Sequence, residues 1–397
     1  MKVNPRNPQA TDHFITYQTA WSLKPNPVMS DTDIKFMQHC LSLAEKGRNT
    51  TRPNPVVGAL LVKDGGIIAE GWHEWPGQEH AEVMAIRKAA GRETGATLYV
   101  TLEPCSFTGK TGPCCDAVIE AGIARVVYGM VDPNPQVAGR GIRKISDAGI
   151  EVSGPICPEE AGALNPGFIK RMTKGLPHVV CKLAMSLDGR TAMASGESKW
   201  ITGTEAREDV QRLRARSSAI LTGIETVLSD DSGLDVRSQT MECKAPIRVI
   251  VDSRLRISPQ AKTLHLPGQV ILATAVTSET LLSDKENELA NERVTLLSCA
   301  NADGQVDLHT LLQTLARDYQ CNEVLLESGA ELAGSMLKAG LVDEVITYIA
   351  PKLLGSDARP LFRLGLEKME DQVALEILDV AMVGKDCRMR SRVKNPY

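Results

Sequence analysis

Three side chains that suit a transition metal, His80, Cys105 and Cys114, stand far apart along the chain, and that spacing constrains the fold more than any other feature. They meet only where two helix starts and a strand end converge. Leu98-Tyr99-Val100 reads as a buried strand running into Thr101-Leu102-Glu103-Pro104, which puts Cys105 just past a strand end. Cys114 opens a helix that follows Pro113 and stops before Gly122, where free N–H groups and the positive dipole end favour thiolate over thiol. His80 opens another helix, running to Ala90, closed by Gly91 and carrying Arg87 and Lys88 in its last turn.

One imidazole and two thiolates fill three positions of a tetrahedral zinc site and leave the fourth to water, whose pKa the metal lowers toward neutrality. Glu82 follows His80 by two positions. It is the carboxylate placed to carry a proton from that water to a ring nitrogen and on to departing ammonia, as in hydrolytic deamination of nucleobase-like rings. Cys115, next to a ligand, reads as a small core residue. His73, at the end of a strand from Ile67 to Gly71, reads equally as a solvated histidine or a substrate contact. Eight residues, Ser106 to Pro113, separate the two cysteines, whereas the general deaminase signature has two. Such an insertion bulges over the pocket mouth and brings Lys110 there as a partner for an anion.

Asn54-Pro55-Val56-Val57-Gly58, His80-Ala81-Glu82-Val83, Thr101-Leu102-Glu103-Pro104-Cys105-Ser106, Pro113-Cys114-Cys115 and the run from Asp132-Pro133-Asn134-Pro135 to Gly139-Arg140-Gly141 closely resemble the deaminase half of the bifunctional riboflavin biosynthesis deaminase/reductase family. The resemblance implies that Asn54, His73 and Lys110 contact substrate, that His80, Cys105 and Cys114 hold one zinc ion per deaminase domain, and that Glu82 is catalytic. It also exposes a departure. The family carries His and Pro where this chain has Phe107 and Gly112. Phenylalanine donates no hydrogen bond and glycine loosens the loop.

The second half alternates strand and helix signals without a metal cluster. Val179 to Ala184, Ala219 to Thr222, Ile247 to Val251, Val270 to Ala273, Val294 to Leu297, Val324 to Glu327 and Glu344 to Ile349 read as strands, with helices near 204–216, 307–317 and 331–339. Such crossovers imply a largely parallel, helix-flanked sheet. The turn Ser328-Gly329-Ala330-Glu331-Leu332-Ala333-Gly334-Ser335 suits either a nucleotide pyrophosphate or close helix packing. Lys182 through Arg190, Lys199-Trp200-Ile201-Thr202, Ile224 through Asp231, and Leu341-Val342-Asp343-Glu344 with Ala350 through Gly355 resemble the dihydrofolate reductase-like reductase half of the same family. That resemblance implies that Ala184, Trp200, Thr226, Asp230, Ser253 and the turn Gly329, Ala330, Glu331, Leu332, Ala333, Gly334 and Ser335 bind NADPH. It gives Ser198, Arg214, Leu234, Arg237 and Glu327 to the ribosyl phosphate substrate. Ser232 and Asp235 depart from the family's Pro and Thr, and Asp235 adds a negative charge near Arg237.

At 397 residues, with 43% apolar and 24% charged, the chain has room for two cores. The expected fold class is α/β: an N-terminal cytidine deaminase-like three-layer domain on a mixed sheet and a C-terminal dihydrofolate reductase-like α/β domain. The expected divisions are an extension over 1–30, a deaminase domain over 31–174 and a reductase domain over 175–397. A net charge of −4 with no basic block argues against nucleic acid. Ten scattered cysteines suit a reducing compartment, no apolar run is of membrane-spanning length, and the start lacks a secretory signal, so a cytoplasmic protein is expected. The expected partners are small phosphorylated pyrimidines and further copies of the chain, a dimer or larger. The implied chemistry is zinc-dependent deamination of a phosphorylated diaminopyrimidinone followed by NADPH reduction of its ribosyl group to ribityl. Two other readings compete with it: a reductase whose zinc domain is structural, and a nucleic-acid deaminase, which the charge and the cysteine spacing disfavour.

Overall fold

The computed structural model of the chain describes residues 30–109, 112–238, 240–289 and 291–394. Of the expected N-terminal extension only Ser30 lies among them. Its side chain accepts from Asp33 N at 3.1 Å and caps the first helix, α1 (Asp31–Ala44). Then follow β1 (Gly58–Lys63), β2 (Gly66–Trp72), α2 (Ala81–Ala89), β3 (Thr97–Val100), α3 (Cys114–Glu120), β4 (Arg125–Tyr128), α4 (Arg140–Asp147) and β5 (Glu151–Ser153).

These strands make a five-stranded sheet in the order β2-β1-β3-β4-β5. β1 is antiparallel to both neighbours, whereas β3, β4 and β5 run parallel, so the sheet is mixed as expected. Alternation along the strands builds three layers. Leu60, Val62, Tyr99 and Val127 pack with Met37, Cys40 and Leu43 of α1 on one face. Ala59, Leu61, Leu98 and Val126 pack with Ala81, Ala85, Cys115, Val118 and Ile145 of α2, α3 and α4 on the other. Cys115 is therefore a core residue. At Gly71 on β2 the helix comes down onto bare backbone: a Cβ there would lie 2.2 Å from the carbonyl oxygen of Ala81. Glycine is what lets α2 approach this closely.

The Pro- and Gly-containing segment before Pro177 is not a bare linker. It holds α5 (Pro158–Leu164) and α6 (Pro166–Lys174), each with its proline in the first turn, where the missing N–H costs nothing.

The second sheet draws on β6 (His178–Ser186), α7 (Thr204–Arg216), β8 (Ala219–Gly223), α8 (Ile224–Asp230), β9 (Ile247–Val251), α9 (Lys262–His265), β10 (Val270–Thr274), α10 (Glu279–Leu289) and β11 (Val294–Ser298). It continues through α11 (Leu308–Arg317), β12 (Glu323–Leu326), α12 (Ala330–Lys338), β13 (Glu344–Ala350), β15 (Leu375–Val383) and β16 (Asp386–Val393). The short strands β7 (Arg190–Ala192) and β14 (Arg359–Pro360) pair beside it. Its nine strands run β11-β10-β9-β8-β12-β6-β13-β16-β15, parallel from β11 to β13 and antiparallel thereafter. All seven expected strands are present. The β15–β16 hairpin was not expected, because arginines 388, 390 and 392 mask its strand pattern; Arg388 reaches Asp209 of α7 and Arg390 reaches Glu344 of β13. Among the described residues no helix is long and apolar enough to cross a membrane.

Candidate active sites

The first site gathers where the sequence pattern requires. His80 caps α2, Cys105 follows β3, and Cys114 starts α3. His80 Nδ1 lies 3.6 Å from Cys105 Sγ and 3.0 Å from Cys114 Sγ, and the three donor atoms fall within 4.8 Å of one another. Zinc bonds of about 2.0–2.3 Å at tetrahedral angles put such donors about 3.6 Å apart, so the set fits zinc in both type and spacing. The start of α3 is tied to the other cysteine: Cys114 N donates to Cys105 Sγ at 3.3 Å, and Cys115 N to Cys105 O at 3.1 Å. Hydrogen bonding to Cys114, opposed by burial and reinforced by His80, holds the Cys105 thiol well below its ordinary value, whereas its partner Cys114 is pushed up by that same bond and by burial, against the expectation from its place at a helix start. A thiolate is what the metal needs.

Glu82 stands in the first turn of α2 and is 4% exposed. Burial pushes its carboxyl up to about 7; the His80 charge opposes the shift and the Cys105 charge adds to it. A buried carboxyl near neutrality is suited to taking up and giving back a proton.

His73 is buried rather than solvated, at 2% exposure, and its ring meets His80 edge-on with centroids 5.1 Å apart. Its Nδ1 is 3.0 Å from the Glu79 carbonyl, which can only accept, so Nδ1 carries the proton. Nε2 must then accept, and the neighbour 2.9 Å away is Asn54 Nδ2. This fixes the amide of Asn54 with Nδ2 toward His73 and leaves Oδ1 as its acceptor. Burial lowers the His73 pKa, in keeping with that neutral form. Lys110 lies outside the described residues, and Phe107, which replaces the family's histidine, is exposed.

Around this first site the sequence reading assigns no role to Glu103. The buried carboxylate of Glu103 accepts from the backbone N–H groups of Asp132, Gly139, Gly141 and Ile142 at 3.2, 2.8, 3.0 and 3.3 Å. It pins the Asp132 to Gly141 run and the start of α4 beside Cys105. The available signal was an acid flanked by Leu102 and Pro104, immediately before a ligand.

The second site lies past the carboxyl ends of the parallel strands β6, β8, β9 and β12, where open α/β sheets bind ligands. Glu327 follows β12 and is gripped by two cations. Arg214 Nε and Nη2 donate to its two oxygens at 2.6 and 3.1 Å, and Lys182 Nζ lies 3.3 Å away. Burial raises its carboxyl, but Arg214 and Lys182 outweigh that and hold it at about 2. Arg214 Nη1 also donates to the Asp235 carbonyl at 2.8 Å. A guanidinium has five N–H groups, so two remain for a ligand. Lys182 was not assigned a role from sequence; a lysine interrupting the apolar run of β6 was the signal.

The other expected residues spread around this floor. Arg237 is exposed, with Nε 3.8 Å from Asp235 Oδ1. Leu234 has its side chain in the core, with φ +53°, so only its backbone is left to meet a ligand. Ser198 and the exposed Trp200 lie on a loop held by Lys199 to Asp230, 3.8 Å, and by Lys352 to Trp200 O, 2.8 Å. Ala184 is on β6 and Thr226 on α8. Ser253 follows β9 and bonds Gln305 and Val306 N, both at 3.3 Å. Gly329 caps α12 and leaves its first N–H groups open. Farther along that helix Ala333 is buried, and a Cβ at Gly334 would lie 2.4 Å from Arg363 O. At those two positions small size serves packing.

Two units thus define the class: a zinc-ligating deaminase sheet joined to a nucleotide-binding type of parallel sheet. Residues 30–130 match the cytidine and deoxycytidylate deaminase zinc-binding region, and residues 177–388 match the RibD C-terminal domain. The chain is 48% identical over 366 residues to the riboflavin biosynthesis protein RibD of Escherichia coli, covering 89% of this chain and 97% of that protein. It matches a solved RibD of Acinetobacter baumannii at 45% identity and TM-score 0.84, covering 92% of this chain and 99% of that one. It also matches a diaminohydroxyphosphoribosylaminopyrimidine deaminase/5-amino-6-(5-phosphoribosylamino)uracil reductase of Thermotoga maritima at 34% identity and TM-score 0.80, over 91% and 99% of the two chains. The chain belongs to the RibD family of riboflavin biosynthesis proteins.

Proposed function

We propose that the chain performs two consecutive steps of riboflavin biosynthesis. The first deaminates a phosphorylated diaminopyrimidinone, and the second reduces the ribosyl group of the resulting aminouracil to ribityl. These are the paired activities in the name of the Thermotoga relative. The observation that carries the reading is the meeting of His80, Cys105 and Cys114 around buried Glu82, in one chain with the Glu327 floor.

His80, Cys105 and Cys114 would hold one zinc ion, which supplies a Lewis acid that activates water. Glu82 takes one proton from the water and gives it to the ring nitrogen, then takes the remaining hydroxyl proton and gives it to the amine, which leaves as ammonia. Asn54 offers Oδ1 to a substrate N–H, with His73 fixing its orientation, and Lys110 is proposed to meet the anion. NADPH supplies the hydride of the second step. Ala184, Trp200, Thr226, Asp230, Ser253 and the turn from Gly329 to Ser335 are proposed to hold it. Arg214, with two free N–H groups, and exposed Arg237 suit the substrate phosphate, together with Ser198, Glu327 and the Leu234 backbone.

The working divisions are a deaminase domain over 31–174 and a reductase domain over 175–397. A homo-oligomer is supported by edge strand β15, whose Leu375, Ile377, Val380 and Met382 are exposed. The bulge between Ile377 and Asp379 keeps them on one face although their numbering changes parity. A single monomeric species in sedimentation at micromolar concentration would remove that part. All ten cysteines are unbridged, which supports a reducing, cytoplasmic setting.

A coupled assay tests the whole. Zinc-loaded protein should release ammonia from the phosphorylated diaminopyrimidinone and oxidise NADPH on the deaminated product. Failure of either step sinks that half of the assignment.

A further inference from the structure

Asn54, the proposed substrate contact of the deaminase pocket, is reached from the reductase half of the chain. The carbonyl oxygen of Pro53 accepts two hydrogen bonds. One comes from Asn322 Nδ2 at 2.9 Å, the other from Arg171 Nη2 of α6 at 3.3 Å. Asn322 is buried, and its amide orientation is forced. Arg171 Nε, which can only donate, sits 2.7 Å from Oδ1, so Nδ2 is the group that faces the proline carbonyl. The backbone of Asn322 is held as well: its N–H donates to Ser218 Oγ at 3.0 Å and its carbonyl accepts from His178 N at 2.8 Å.

The same segment is gripped once more, three residues on. Asn165, between α5 and α6, accepts from Val56 N at 2.7 Å and donates to Val56 O at 2.9 Å. Asn54 therefore stands between two asparagine clamps, one of which immediately precedes strand β12. At the far end of β12 is Glu327, the floor of the reductase site. β12 is paired on both sides, with β6 and β8, so the clamp is mounted on the interior of the nine-stranded sheet.

We propose that Asn322 is a positioning residue for deamination: the reductase half holds the Pro53 carbonyl and so aims Asn54 between His73 and the incoming pyrimidine. The inference rests on the deaminase reading above. It makes the reductase half a structural part of the deaminase pocket, beyond being the next enzyme in line.

Asn322→Asp isolates the contact. It keeps the volume and the bond from Arg171, but it removes the N–H and turns an oxygen toward the Pro53 carbonyl. In the zinc-loaded full chain, kcat/KM for ammonia release should fall about tenfold, mostly through KM, the cost of losing one buried hydrogen bond. NADPH oxidation on separately prepared deaminated product should stay within about twofold. Equal loss of both activities, or no loss of deamination, overturns the proposal. Amide hydrogen exchange reads the clamp without substrate: exchange over 49–57 should quicken while strand β6 stays protected, and unchanged exchange over 49–57 also overturns it. Should Asn322→Asp fail to fold, Asn322→Ala removes the same donor to the Pro53 carbonyl and is held to the same outcomes. A wild-type chain that releases no ammonia defeats the deaminase reading, while the exchange result still decides the clamp.

Discussion

Glu82 and Glu327 are both buried carboxylates, one in each half of the molecule, and their surroundings push them in opposite directions. Glu82 sits against sulfur and an apolar helix start, and burial pushes it up to about 7. Glu327 sits between Arg214 and Lys182 and is held at about 2, although burial alone would raise it. The first is able to trade a proton near neutral pH. The second is a fixed negative charge that shapes and partly neutralises a cationic floor. Burial of an acid thus says little about its task until its partners are named.

The largest effect that would break this contrast is at Glu82. Glu82→Gln keeps the shape and removes proton transfer, so ammonia release should drop by about 10²–10⁴-fold, with zinc content and NADPH oxidation retained. A variant that still deaminates at near wild-type rate would show that Glu82 is not the shuttle.

Next comes Glu327→Gln. It leaves Arg214 and Lys182 without their anion in a buried place, a change that costs about 3–5 kcal/mol in denaturant unfolding. The acid response should change with it. Because folding depresses the Glu327 pKa from 4.5 to about 2, its contribution to stability is present above pH 4.5 and is lost as pH falls toward 2. Wild-type protein should lose stability across that window, and the variant should show a shallower slope there. Equal slopes would mean that other carboxylates govern acid unfolding.

The smallest effect concerns Asp235. Its carboxylate lies 3.8 Å from Arg237, the cation proposed for the substrate phosphate, and would compete with that phosphate for it. Asp235→Thr should tighten binding of the phosphorylated substrate by about two- to fivefold at low salt, the range of an exposed ion pair, and the gain should fade as salt rises. Weaker binding in the variant would mean that Asp235 orients Arg237 for the phosphate.

The zinc cluster was legible because its chemistry demands particular residue types at element ends, and local signals such as Pro113 and Gly91 mark those ends. The parallel strands of the second sheet were legible as apolar runs such as Val270 to Ala273. What escaped depends on contacts across the chain. Glu103 looks like any acid until the backbone of Asp132 to Ile142 closes around it. Lys182 becomes meaningful only when β12 is inserted beside β6. β15 and β16 lack an apolar run because their arginines find Asp209 and Glu344 in tertiary structure. The tautomer of His73 needs the Glu79 carbonyl, which strand spacing alone does not supply.

Gly71 has a further consequence for how this chain can change over time. The helix that carries His80 and Glu82 meets strand β2 at this point through main-chain atoms, so its approach there is limited by no side chain. Elsewhere in that core a changed side chain can be met in part by neighbouring rotamers. At position 71 there is no such slack: one added methyl has to lift the helix, and with it both the histidine and the glutamate. Sequence drift can therefore exchange side chains of that core more readily than it can exchange Gly71, and the contact there helps keep the chemistry of the deaminase half in register.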